Sequence, residues 1–144
     1  MSLFLATCQG IGLAIAAGTF AGASGRRGAV GVLLAVPAAI GAAILFGISL
    51  SNRDHPAWPG WPVGIVIAIL AFGVVSSIVA GAQARARGAS SIGPIVAVVA
   101  VVIALLSAFI WEPLGLVFLL GLLWLASARR RRAESKHEGL RVLR

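Results

Sequence analysis

Residues 92–111 read IGPIVAVVAVVIALLSAFIW, twenty consecutive positions without a formal charge. That is the length an α-helix needs to cross a hydrocarbon core of about 30 Å. Three comparable apolar stretches precede it and a shorter one follows, which places spans at about 3–22, 30–50, 62–82, 92–111 and 113–128. The expected fold class is therefore all-α, a polytopic transmembrane helix bundle of five spans. Residues 1–128 form its single transmembrane domain and 129–144 a basic tail.

Composition points the same way. A hydrophobic fraction of 60% with 11% charged residues leaves too little polar surface to coat a soluble globule, and 144 residues leave no room for a soluble module beside five spans. Cys8 is the single cysteine, which excludes an intrachain disulfide.

The net charge of +8 is informative through its placement. Arg26 and Arg27 follow the first span, Arg53 the second, Arg85 and Arg87 the third, and Arg129, Arg130, Arg131 and Arg132 the fifth. With the N-terminus outside and the C-terminus cytoplasmic, Arg53 is the one base of twelve on the outer side, as the positive-inside rule requires. The sequence around residues 21–23 resembles a signal-peptidase site, but the bases follow the apolar run instead of preceding it, so the first span reads as a retained anchor. The fifth is short. Pro113 suits its first turn, Trp111 and Trp124 suit interfacial anchors, and the four arginines after it complete the charge pattern. Orientation thus accounts for the basic balance, and no nucleic-acid partner is expected. The tail, with seven basic and two acidic residues, should attract anionic lipid of the cytoplasmic leaflet.

Helices in lipid associate through close contact of small residues. Ala14, Gly18 and Gly22, then Ala39, Ala43 and Gly47, then Gly73, Ser77 and Gly81 recur at four-residue spacing. Gly18, Gly22, Gly73 and Gly81 are the expected helix-packing positions, with contacts inside the bundle favoured over a homo-oligomer face. Pro37 should bend the second span. Residues 15–25 echo 78–88, with Ile, Ala, Gly, Ala, Ala and Gly coinciding, as if two helical hairpins were parallel repeats.

Polar side chains are scarce. Asp54 and His55 lie in the longest outer connection, Glu112 at the outer boundary, and Gln9 and Ser107 in the outer parts of spans. Gln9, Asp54, His55 and Glu112 form the candidate outer polar cluster, where a carboxylate beside an imidazole can move protons or hold a cation. The competing reading has Asp54 pairing with Arg53 or capping a turn. Metal-ligand spacings, nucleophile triads and phosphate loops are missing from the sequence, so no catalytic residue, metal or cofactor is expected and the chain does not read as an enzyme.

Cys8-Gln9-Gly10-Ile11-Gly12-Leu13-Ala14, Asp54-His55 with Trp58-Pro59-Gly60, Pro113-Leu114-Gly115-Leu116 with Leu123-Trp124-Leu125, and the closing Gly139-Leu140-Arg141-Val142-Leu143-Arg144 together resemble a bacterial membrane family, domain of unknown function 4126 (DUF4126). Its members often carry an Arg-Pro stretch where this chain has Thr19-Phe20-Ala21-Gly22-Ala23. The resemblance implies a multi-pass protein of the bacterial inner membrane and no known activity. Two function classes stand: a small transport or permeation protein, which the glycine-rich spans and outer polar cluster favour, and a structural or partner-binding membrane subunit. The partners expected are the bilayer and a second copy or another membrane protein.

Overall fold

A computed structural model describes the backbone of residues 2–26, 28–86 and 91–141 and the side chains of 3–26, 28–86 and 91–133. Arg27, Arg87 and Arg144 of the charge pattern and Gly88 of the internal echo lie outside the described residues, as do the side chains of Glu134, Lys136, Glu138 and Arg141. Among the described residues there are five helices and no strand. They are α1 (Ser2–Gly22), α2 (Ala29–Ser51), α3 (Gly60–Arg85), α4 (Ile92–Leu105), which runs on into a π turn at Leu106–Ile110, and α5 (Leu114–Arg141).

Four segments, Leu3–Gly22, Ala29–Ser51, Gly60–Arg85 and Ile92–Ile110, are long and apolar enough to cross a bilayer. The chain is accordingly a membrane-embedded helical protein. α5 is different. It has fifteen uncharged residues before Arg129, about 22 Å of helix at 1.5 Å per residue, and its helix continues through the arginines to Arg141.

α1 is the centre of the bundle and touches every other element. α2 and α3 pack on it and on each other, whereas α4 and α5, though consecutive, lean on α1 and not on one another. The reason is residue size. Gly18 lies so close to the Ala68 carbonyl and the Ala71 side chain of α3 that a Cβ there would collide with both. At Gly22 the same atom would stand 3.0 Å from Val75 Cβ. Gly10 faces Phe46 and Ser49 of α2, with a Cβ at 2.7 Å from the Phe46 ring, and Gly64 of α3 meets the Ala42 carbonyl of α2 at 2.7 Å in the same sense. Where no hydrophobic effect separates helix from lipid, such approaches supply the van der Waals contact that holds helices together. Ala14, Ala42, Phe46, Ala68 and Ala71 fill the interior between them, and the Ser49 hydroxyl donates to the Ala6 carbonyl across the α1/α2 contact at 3.1 Å.

Two sequence expectations are corrected here. Gly73 is exposed, with open space where its Cβ would stand, and Gly81 would meet only Arg85 of its own helix. Neither packs a helix, because α3 turns the face bearing Ala68, Ala71, Val75 and Val79 toward α1 and leaves the Gly73 face outward. The echo of 15–25 in 78–88 does not extend to packing either. Ile15 is buried while Ile78 is 40% exposed, and Gly18 is a tight contact between helices where Gly81 meets only its own helix's Arg85. Pro37 lies within an unbroken α2 and walls an apolar groove of about 530 Å³ between α2 and Phe20 of α1.

The ends of the bundle sort by charge. Gly25, just after α1, sits against Val79 and Gln83 near the end of α3, and the Ala23 carbonyl meets Gly93 at the start of α4. Arg26 and Arg85 thus share one end, and Arg53 and Glu112 the other.

Candidate functional site

At the Arg53 end, the α2–α3 connection and the α4–α5 junction meet beside the start of α1. α2 ends in a Schellman arrangement: the His55 N–H donates to the Leu50 carbonyl at 3.2 Å and the Asp54 N–H to Ser51 at 3.1 Å. Such a cap puts its penultimate residue in the left-handed region, and Asp54 has φ 59°, the one non-glycine with positive φ among the described residues. Aspartate is among the few L-residues that tolerate this, through its short polar side chain. The position of Asp54 is therefore explained by turning the chain.

The cap aims Arg53 across the bundle at Glu112. Their ion pair joins the two connections, each side chain about a quarter exposed. Of the two alternatives in the competing reading, Asp54 takes the turn, and Arg53 pairs with Glu112. Pairs this accessible contribute about 0–1 kcal/mol in water, and proximity to lipid raises the value by lowering the local dielectric.

Glu112 sits where it does because the last turn of α4 widens into the π turn. The Trp111 N–H donates to the Leu106 carbonyl, five residues back, at 3.1 Å, and Trp111 then leaves the helix in extended conformation. In that register the donor due to the Ala108 carbonyl would come from residue 113, a proline with no N–H. Gln9 fills the gap, its Nε2 donating to the Ala108 oxygen at 3.3 Å from α1. The π turn also buries Ser107 completely against α1, its hydroxyl without a hydrogen-bond partner. Gly12 and Gly115 make this possible, since a Cβ on Gly12 would overlap the Ser107 side chain and one on Gly115 the Cys8 carbonyl. Cys8 is a free, buried thiol.

The four candidate residues consequently go to three places. Gln9 and Glu112 flank the end of the π turn, each serving a different partner. Asp54 is exposed at the cap. His55 walls a separate apolar cavity with Phe4, Phe46 and Pro59. They do not form one polar centre, because the cap that places Arg53 toward Glu112 sends the next two residues elsewhere. Among the described residues no group of three His, Cys, Asp or Glu side chains is arranged to hold a metal ion.

Sequence reading missed Arg53 as a site residue. The signal was present: among Lys and Arg it is the one that the alternating pattern sets apart from the rest, and Glu112 falls at the same end by the parity of the spans. Arg129 was also missed at the opposite end. Its Nη1 donates at 3.3 Å to the Val74 carbonyl of α3, which also accepts the Ser77 hydroxyl at 2.7 Å.

No family model matches this chain, and neither the curated proteins nor the solved structures include a match.

Proposed function

We propose that this protein is a structural, partner-binding membrane subunit. The observation behind the reading is that α1, the central helix, is closed on its neighbours at glycine and alanine contacts, while the scarce polar groups at the Arg53 end serve the fold. Glu112 binds Arg53, Gln9 serves a helix carbonyl and Asp54 caps a helix. A transport site keeps such groups for its cargo. The permeation reading retains one observation in its favour, a cavity of about 250 Å³ lined by Ala108, Trp111 and Glu112, and a flux assay separates the two. Vesicles carrying the protein should take up ions and small solutes at the rate of empty vesicles, and a photo-cross-linker at the outward Gly73 should give a discrete protein adduct in cells. Uptake above that of empty vesicles that changes with Glu112→Gln would instead establish permeation.

The reading includes five spans, an external N-terminus, a cytoplasmic basic tail that holds anionic lipid, residence in the bacterial inner membrane and membership of DUF4126. It includes no enzymatic activity and no nucleic-acid partner. Support comes from the alternating placement of Lys and Arg and from the shared end of Arg26 and Arg85. In a Cys8→Ser background, Ala57→Cys should react with an impermeant thiol reagent from outside and Ser135→Cys only after the membrane is opened. The reverse pattern overturns the orientation.

A further inference from the structure

Beneath the α2–α3 connection lies a cavity of about 600 Å³, within the range of about 300–1,000 Å³ typical of small-molecule sites. We propose that it holds one hydrocarbon chain of a phospholipid from the adjacent leaflet, with the phosphate of that lipid at His55. This does not depend on the architectural reading above.

The wall decides what can enter. Phe4 of α1, Phe46 and Leu50 of α2, Val63 of α3 and two prolines of the connection supply an apolar lining. Thr7, on the same wall, already turns its hydroxyl to the backbone of its own helix. Water gains stable residence only where it finds two to four polar partners, and an empty void of this size would forfeit contacts along its whole lining. The occupant is therefore hydrocarbon.

Access decides where it comes from. Leu3, Phe4 and Val63 at the rim are 51%, 54% and 44% exposed, so the cavity opens sideways, toward the position of lipid tails. His55, Pro56 and Pro59 close it from the connection side, which stops a partner helix from running through but leaves room for a chain entering from the bilayer. Trp58 and Trp61, both largely exposed, mark the headgroup level at this end. His55 is the one ionisable side chain on the wall, at the depth where an acyl chain meets its headgroup. Its imidazole can donate a hydrogen bond to a phosphate oxygen, with added charge complementarity when protonated. α4 supplies the contrast, since its lipid-facing side chains have no ionisable group among them.

The test uses the full chain in phosphatidylethanolamine/phosphatidylglycerol vesicles doped with phosphatidylethanolamine bearing a diazirine at the end of one chain. Labelling should concentrate on α1, α2 and α3 residues of the cavity wall. Val63→Trp, which fills the cavity from its exposed rim, should remove most of it, and Phe4→Trp should do the same should Val63→Trp impair folding. Val98→Trp on the exposed face of α4 should leave it unchanged, and His55→Ala should lower retention of the phospholipid in native mass spectrometry. Labelling spread evenly over the lipid-facing helices, or unaltered in both filling variants, overturns the site. Equal retention of the lipid in wild type and His55→Ala overturns the headgroup assignment, as does displacement by free fatty acid at equal concentration.

Discussion

α1 and α4 are both uncharged helices of membrane-spanning character, yet about half of α1 is buried by protein against about a tenth of α4. α1 is the least hydropathic of the four long apolar segments, and α4 is among the most. In water that order would be reversed, because burial follows apolarity. In a bilayer, lipid is as apolar as any side chain, and size decides instead. The buried helix is the one whose glycines and alanines let backbones approach. The helix rich in Val and Ile, with Ile95, Val98 and Leu105 outward, is left to the lipid.

That contrast can be broken most sharply at Gly18. Gly18→Leu should push α3 away and cost about 3 kcal/mol or more, at or above the upper end of overpacking penalties, while Gly73→Leu and Gly81→Leu on the outward side of α3 should each change stability by less than about 0.5 kcal/mol. Unfolding in mixed micelles measures all three. Similar losses from all three would mean that residue size does not sort the helices.

A second expected effect lies at the contact between α1 and the π turn. Gly12→Ala should cost about 1–3 kcal/mol by pressing on Ser107, and Ser107→Gly should recover part of the loss. A double-mutant cycle with no coupling would remove the π turn from the close-packed set.

Smaller effects belong to the connections. Arg53→Gln and Glu112→Gln should each cost about 0.5–1 kcal/mol, with a coupling that shrinks at high salt. Additive losses insensitive to salt would show that the pair does not clamp the two connections. The least costly change is Asp54→Gly, expected to hold or slightly raise the melting temperature, since glycine accepts φ 59° without strain. Asp54→Val should lower it by an amount equivalent to about 1–2 kcal/mol.

Four helices of spanning length were legible in the sequence because about twenty apolar residues in a row have few other readings. Which face of each span meets protein was not. Gly18 and Gly73 belong to similar small-residue rows, and nothing in the spacing says that one lies under Ala71 while the other lies open. The polar groups divide in the same way. Asp54 as a turn residue was among the alternatives open to its type and position, whereas the Arg53–Glu112 pair spans 59 positions and emerges only when two connections are brought to the same end. The π turn left one trace in the sequence, Pro113, whose missing N–H is replaced at the Ala108 carbonyl by Gln9, 99 positions from Ala108.

The central place of α1 also bears on biogenesis. Because α1 precedes its partners in the chain, the ribosome delivers the template before the parts that assemble on it. Each later helix entering the membrane finds its docking surface already waiting. Until then α1 exposes to lipid bare backbone at Gly10, Gly12 and Gly18, on the separate faces that α2, the π turn and α3 later cover. The arrival of α2, bringing Phe46 and Ser49 to Gly10, covers the first of these faces, and those at Gly18 and Gly12 stay open until α3 and the π turn follow.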